Sequence, residues 1–413
     1  MIQNFQNCGY EIVDFDAKAD IYVINTCTVT NMSDRKSRQV LRQAKKKNKN
    51  AIVVACGCYV QVAKSEVEKI PEIDLCIGTN EKADIVKYVE DYEININSTE
   101  LENILYDAKF DEFGSVTYTE KTRAVIKVQD GCDRFCSYCI IPFARGKVRS
   151  RNPENIIKEI KQIAQNGIKE VVITGIHIAS YGKDFESGYK LIDLLEDINN
   201  VEGIERIRLG SIEPLLISEE FVCRLKKLNK ICHHFHLSLQ SGCNETLKRM
   251  NRRYTIEEFN EIVQRLRNTY DDVILTTDII VGFPEESEAE FSKTYEFLKK
   301  IKFYKMHIFK YSQRKGTIAA DMKNQIPGDV KEGRSKKLLE LSDTNENEYL
   351  DTYIGKEVSV LFEEQDGEYY KGHTANYINV KLKTNVDVSN QILKIKITGK
   401  DNLSLVSGDV IKW

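Results

Sequence analysis

The chain has 413 residues, and at roughly 150 residues per domain that length calls for two to four domains and excludes a single small core. Hydrophobic residues make up 41% and charged residues 30%, a globular composition that excludes a mainly disordered chain. With 60 Lys and Arg against 63 Asp and Glu the net charge is −3, so no bulk attraction draws the chain to nucleic acid or membrane, and any such partner must bind a local patch.

The opening stretch, MIQNFQNCGYEIVDFD, has no basic segment followed by an apolar one, and no run reaches the roughly eighteen apolar residues of a spanning helix. A cytoplasmic protein without a membrane partner is expected. Under reducing conditions the eleven cysteines, at 8, 27, 56, 58, 76, 132, 136, 139, 223, 232 and 243, read as metal or redox candidates rather than disulfides. Only one group is tightly spaced; Cys76, Cys223, Cys232 and Cys243 are scattered and read as packing residues.

From residue 10 to about 95 the apolar runs 20–24 and 51–55 alternate with polar helical stretches at 33–48 and 61–70, which predicts a parallel α/β sheet. The helix around 35–49 carries Arg35, Lys36, Arg38, Arg42, Lys45, Lys46, Lys47 and Lys49 and no acid. That block suits nucleic-acid phosphates or is a plain solvated face. Residues 96–120 turn acidic and polar and read as a linker.

From Arg123 the alternation resumes, with strands at 124–128, 170–174, 206–209, 235–238, 273–278 and 305–309 and helices at 153–166, 189–198, 255–268 and 288–300. In the first helix Asn152 caps, Pro153 fits the first turn, and Ile156, Ile157, Ile160, Ile163 and Ala164 form one stripe that ends at Gly167. Six such strands predict an open or partial β/α barrel with its site at the C-terminal strand ends. A charged helix at 329–349 follows, then period-two strands at 357–362, 377–382 and 392–397 that predict a small antiparallel barrel. Its eight Lys against nine Asp and Glu fit a structural barrel as well as an RNA-binding one. The expected fold class is α/β: a parallel-sheet domain over 1–95, a linker over 96–120, a partial barrel over 121–349 and an all-β barrel over 350–413.

The chemistry concentrates in Asp130-Gly-Cys132-Asp-Arg-Phe-Cys136-Ser-Tyr-Cys139, a C-x3-C-x2-C loop directly after the first barrel strand. Three thiolates can hold three irons of a 4Fe-4S cluster and leave the fourth open to a small-molecule ligand. A zinc loop would need a fourth ligand, and none stands nearby. Gly175 and Gly282 sit where close backbone approach to a ligand, or a simple turn, would need glycine. Ser238 and Gln240, at the end of the fourth strand, are polar enough to touch a cofactor or substrate. Arg145, Lys147, Arg149 and Arg151 have no acidic neighbour in sequence and could meet phosphates or a substrate base. His233, His234 and His236 read as pointing to both faces of one strand, which argues against a shared metal.

The cysteine spacing, with an aromatic residue before the last thiol, resembles the radical S-adenosylmethionine superfamily. Asn25-Thr-Cys27-Thr-Val29, Gly57-Cys58-Tyr-Val-Gln61, the run 140–151, Leu239-Gln-Ser-Gly242 and Gly282-Phe-Pro284 resemble its methylthiotransferases. Ala144-Arg-Gly146, Thr174-Gly-Ile-His177 and Tyr181-Gly182 look most like members that modify threonylcarbamoyl-adenosine at position 37 of tRNA. The resemblance spans essentially the whole chain. It implies a flavodoxin-like domain with an auxiliary 4Fe-4S cluster, a radical barrel, and a C-terminal TRAM-type RNA-binding barrel. It also implies a tRNA substrate, S-adenosylmethionine, and an electron donor such as flavodoxin or ferredoxin. In such enzymes the cluster, here on Cys132, Cys136 and Cys139, cleaves S-adenosylmethionine to a 5′-deoxyadenosyl radical. That radical takes hydrogen from C2 of adenine, and the auxiliary cluster presents a methylated sulfur to the carbon centre.

Family members hold the auxiliary cluster with three cysteines, the first in a Gly-Cys-Lys-like turn after an initial strand. Cys27 and Cys58 match the second and third, and Met1 aligns within the helix after that turn, which implies an N-terminal truncation, a misplaced start or, more rarely, a real loss of the auxiliary site. Cys8 is expected at the far end of the sheet from Cys27, whereas Cys56, two residues before Cys58, is expected on its face and could stand in, although a buried packing role is the commoner one for such a cysteine. Rival readings are methylthiolation of isopentenyl-adenosine in tRNA or of an aspartate of ribosomal protein S12, and a non-catalytic tRNA-binding iron–sulfur protein.

Overall fold

A computed structural model describes residues 1–94, 110–112, 122–402 and 404–412, so most of the expected linker lies outside the described residues. The chain forms two compact units. One comprises Met1–Val116, Asp130–Ser150 and Ser312–Asp321, the other Thr117–Gln129, Arg151–Tyr311 and Met322–Trp413.

The first unit is built on β1 (Ile21–Thr26), β2 (Ile52–Gly57) and β3 (Leu75–Ile77), parallel and in that spatial order. Strand β2 is central and apolar throughout because it is covered on both faces. Val53 and Ala55 pack with Leu41, Ala44 and Tyr59 on one side, while Val54 and Cys56 meet Phe5, Ile85 and Val89 on the other. Helix Asn31–Lys47 starts where the Thr30 hydroxyl accepts the Ser33 N–H at 3.1 Å. Residues 10–15 form no strand; Tyr10 packs edge-on against Phe5, with centroids 5.3 Å apart. The unit also holds the loop that leaves β4 (Arg123–Asp130), helix Ile141–Arg145 and β5 (Arg149–Ser150).

In the second unit β4 pairs in parallel with β6 (Glu170–Gly175) and β6 with β7 (Arg206–Leu209). A parallel set of β8 (His234–Gln240), β9 (Ile274–Val281) and β10 (Lys305–Lys310) continues it, joined by bridges at Ile207–Ile231 and Ile212–Leu237. This is the expected six-stranded partial β/α barrel. Helix Pro153–Gln165 begins with the Asn152 side chain accepting the Glu154 N–H at 2.8 Å, and Ile156, Ile160 and Ile163 are buried, each contributing about 1.5–3 kcal/mol. Capping boxes at Thr255 with Glu258 and at Ser287 with Glu290 start helices Ile256–Thr269 and Glu288–Ile301.

After helix Gly328–Asp351 come β11 (Glu357–Asp366), β12 (Tyr369–Thr374), β13 (Asn379–Lys383), β14 (Ile392–Lys396), β15 (Gly399–Asp401), β16 (Ser404–Ser407) and β17 (Asp409–Lys412). They form one all-β sheet, ordered β15-β16-β13-β12-β11-β14-β17, antiparallel except where β13 meets β16. Tyr377, expected to open a strand, instead stands before β13 with φ +72°. Its ring stacks on His373 at 4.8 Å and lies 4.6 Å from the Arg208 guanidinium, while Arg206 donates to the carbonyls of His373 and Ser359, both at 3.0 Å. Strand β7 thus seats the C-terminal sheet through two arginines. Among the described residues no helix is long and apolar enough to cross a membrane.

Candidate functional site

The thiol loop leaves β4 at Asp130, whose carboxylate accepts the Gly131 N–H at 2.8 Å. Gly131 has φ +72°, and a Cβ there would stand 1.7 Å from the Lys147 carbonyl oxygen, so no other residue passes this point unstrained. The Cys132 N–H then donates to Gly146 at 3.0 Å, the Cys139 N–H closes a turn onto Cys136 at 2.9 Å, and the Ala319 N–H donates to the Ser137 carbonyl at 2.8 Å. Phe135, between the thiols, is left-handed at φ +48° and packs edge-on against Phe143 at 5.9 Å.

None of the three cysteines is disulfide-bonded and all are partly buried, and burial pushes the thiol of Cys132 up, so its thiolate form calls for an electropositive partner. Among the described residues no three His, Cys, Asp or Glu side chains gather as they would around a single ion. A 4Fe-4S cluster takes one thiolate per iron and needs the donors spread along a loop, which this donor set fits.

The arginines after the loop meet acids that the local sequence does not supply. Arg145 donates through Nη1 to Asp130 Oδ2 at 3.2 Å and through Nε to the Cys58 Sγ at 3.1 Å. Arg149 Nη2 lies 3.5 Å from the same Asp130 oxygen; the side chain is buried, with Nε and Nη1 unpaired among the described residues. Burial works against the Arg145 charge, but Asp130 and Cys58 outweigh it and hold its pKa up, whereas burial prevails at Arg149 and lowers it. Lys147 is exposed.

Cys27 and Cys58 each follow the last residue of a strand, and those residues, Thr26 and Gly57, are register partners. Both cysteines therefore leave the sheet at one end, as expected; Cys27 is exposed and Cys58 buried. The turn after Cys27 is held by Arg314, which donates to Thr28 Oγ1 and to Asn31 Oδ1 at 2.7 Å and pairs with Asp34 at 2.7 Å. Lys82 donates to Asn25 Oδ1 at 2.8 Å just before it. Cys56 does not share a strand face with Cys58, because Gly57 turns at φ +102° into helix Cys58–Val62. Wholly buried among apolar residues, and with its thiol raised by that burial, Cys56 is a packing residue. Cys8 is exposed at the end of helix Ile2–Asn7.

In the second unit Gln240 ends β8 buried and left-handed at φ +71°, a conformation that costs a non-glycine residue and collects at functional sites. The Ser238 carbonyl beside it accepts Tyr254 Oη at 2.6 Å and Arg252 Nη2 at 3.1 Å. Gly175 is needed for strand packing, since a Cβ there would meet the Gln129 carbonyl at 2.7 Å. Gly282, at φ +67°, donates its N–H to Glu286 at 2.7 Å, and buried Glu286 pairs with Arg334 at 2.7 Å. Arg151, expected to meet phosphates or a substrate base, is instead buried in an ion pair with Glu159 of the following helix. His234 and His236 share one face, both within hydrogen-bond reach of Thr276 Oγ1 at 3.1 and 3.0 Å, and His236 lies 3.2 Å from Asp278; only His233, 2.6 Å from Asp272, points away. The three histidines thus point to both faces, as expected, and do not share one ligand position.

Residues 126–298 match the model of the Radical SAM superfamily, and residues 1–78 that of Uncharacterized protein family UPF0004. The threonylcarbamoyladenosine tRNA methylthiotransferase MtaB of Bacillus subtilis is 41% identical over 404 residues, 96% of this chain and 89% of that one. Its counterpart from Aquifex aeolicus is 44% identical over 374 residues, 90% of each chain. A tRNA-2-methylthio-N(6)-dimethylallyladenosine synthase of Clostridium tetani is 34% identical over 98% of this chain and 91% of its own length. In fold, the chain resembles the radical S-adenosylmethionine methyltransferase TsrM of Kitasatospora setae, with TM-score 0.56 at 16% identity, covering 74% of this chain and 66% of that one. With the thiol loop, the partial barrel and relatives matched almost end to end, the chain belongs to the radical S-adenosylmethionine tRNA methylthiotransferase family.

Proposed function

We propose that the protein transfers a methylthio group to C2 of N6-threonylcarbamoyladenosine at position 37 of tRNA, with S-adenosylmethionine as radical and methyl source. The observation that carries this reading is the trio of cysteines, none of them disulfide-bonded, on one backbone-braced loop at the end of the first barrel strand. Identity of 41% and 44% with relatives named for that substrate supports it over the isopentenyl-type target, whose named relative stands at 34%.

A 4Fe-4S cluster on Cys132, Cys136 and Cys139 supplies one-electron reductive cleavage of S-adenosylmethionine when bound. The chain's own residues do the rest. Gly131 and the backbone bonds of the loop hold the thiols in place, and the strand ends at Gly175, Ser238, Gln240 and Gly282 offer the S-adenosylmethionine site. Cys27 and Cys58 offer two thiolates to an auxiliary 4Fe-4S cluster, with Arg145 orienting Cys58. Arg149, whose Nε and Nη1 are buried and unpaired among the described residues, is assigned to the substrate, whereas Arg151 braces the fold. A reduced flavodoxin or ferredoxin is the electron donor this chemistry asks for, and the cytoplasm is where tRNA and free thiols coexist.

Two measurements test this. Anaerobically reconstituted chain should bind about eight irons and the Cys132→Ala/Cys136→Ala/Cys139→Ala variant about four, with S-adenosylmethionine cleavage lost. About four irons falling to none would limit the chain to the radical step. Offered anticodon stem-loops bearing threonylcarbamoyl- or isopentenyl-adenosine, and ribosomal protein S12, the enzyme should methylthiolate only the first. Product on either of the others would overturn the substrate, and tRNA binding without cleavage would leave a non-catalytic RNA-binding protein.

A further inference from the structure

Between residues 35 and 49 lie eight cations and no acid, and the structure sorts six of them into two sets. Arg38 donates to Tyr59 Oη at 2.8 Å, Lys45 to Asp74 at 2.6 Å and Lys47 to Asp16 at 2.9 Å, so these three hold the first unit together. Arg35, Arg42 and Lys46 are exposed and have no hydrogen-bond or ion-pair partner among the described residues. At about 100° per residue these three fall within roughly 40° of one another, on the face opposite buried Ser37, Leu41 and Ala44. They make a straight stripe about 16 Å long at 1.5 Å of rise per residue. The single acid of the helix, Asp34, is buried and paired with Arg314 at 2.7 Å, so it does not neutralise the stripe. The helix cap, Thr30, stands three residues after Cys27, which places the near end of the stripe beside a candidate cluster ligand.

The C-terminal sheet differs. Among the described residues five of its eight lysines form ion pairs with carboxylates, and exposed pairs of that kind leave little net field for a phosphate chain.

We propose that the face formed by Arg35, Arg42 and Lys46 binds the phosphate backbone of the RNA substrate, an inference that rests on the tRNA reading above. A straight, single-signed stripe of flexible cations has no groups arranged to read base edges, so it contributes affinity and register, not sequence choice. It holds the stem while the modified adenosine is presented to the thiol end of the same unit.

The test is filter binding of the full chain to a tRNA transcript across about 50 to 300 mM KCl. Three proteins are compared: wild type, Arg35→Gln/Arg42→Gln/Lys46→Gln, and a control, Lys383→Gln/Lys394→Gln, in the C-terminal sheet. The triple variant should lose about two to three from the log–log salt slope and bind roughly 10- to 100-fold more weakly near physiological salt, with the control like wild type. Its thermal melt should match wild type, because all three side chains are exposed. Wild-type affinity and slope in the triple variant, or a loss confined to the control, would overturn this surface and leave the tRNA reading standing. Absence of salt-dependent tRNA binding by the wild-type chain would overturn both.

Discussion

A methyl group added at residue 131 has nowhere to go: φ is +72° and the Lys147 carbonyl oxygen occupies the Cβ position. Gly131→Ala should therefore cost more than the roughly 1 kcal/mol of an ordinary strained glycine replacement and displace Cys132. Iron retained after reconstitution should drop to the level of the triple cysteine variant while far-ultraviolet circular dichroism stays unchanged; wild-type iron content would show that the loop relaxes. At this scale the sequence was legible wherever spacing alone encodes the chemistry, as in the three loop thiols. It was silent where a partner is distant. Arg145 reaches Cys58 across 87 positions and Arg314 reaches Thr28 across 286, so the run 145–151 looked free of acids although the fold supplies Asp130 and Glu159.

Regular elements were the easier reading, because period and caps are local properties. The stripe of Ile156, Ile160 and Ile163 and the six barrel strands stand where periodicity puts them, within a residue or three at the ends. The C-terminal sheet was only half read: β15, β16 and β17 are three or four residues long and carry little period-two signal, and β12 was missed as well although it is six residues long. Between elements, the buried Glu286–Arg334 pair ties the turn after β9 to helix Gly328–Asp351. Arg334→Met should destabilise the second unit by about 3–5 kcal/mol, because it strands Glu286 in the interior; adding Glu286→Met should recover most of the loss. Urea unfolding of the single and double variants decides this, and equal stability of the two would sink the argument.

Across the whole molecule, the sequence suggested consecutive blocks, whereas the first unit draws on three separated stretches of chain. Composition shifts mark where linkers run and cannot reveal that 312–321 returns to the N-terminal sheet. Residues 1–116 expressed alone would lack Arg145 and Arg314 and leave Asp34 without its partner. That fragment should show weak amide protection over 28–34 compared with the same residues in the intact chain; equal protection would mean the sheet is self-sufficient. The arrangement also sets a clock on biosynthesis. Ribosomes add about 5–20 residues per second, so the 286 positions between Thr28 and Arg314 correspond to roughly 15–60 s of elongation. Throughout that interval the turn beside Cys27 has emerged but lacks its brace. Until Arg314 arrives, residues 28–34 are held by local bonds such as the Thr30–Ser33 cap, so the backbone around this cysteine takes its final geometry only late in synthesis.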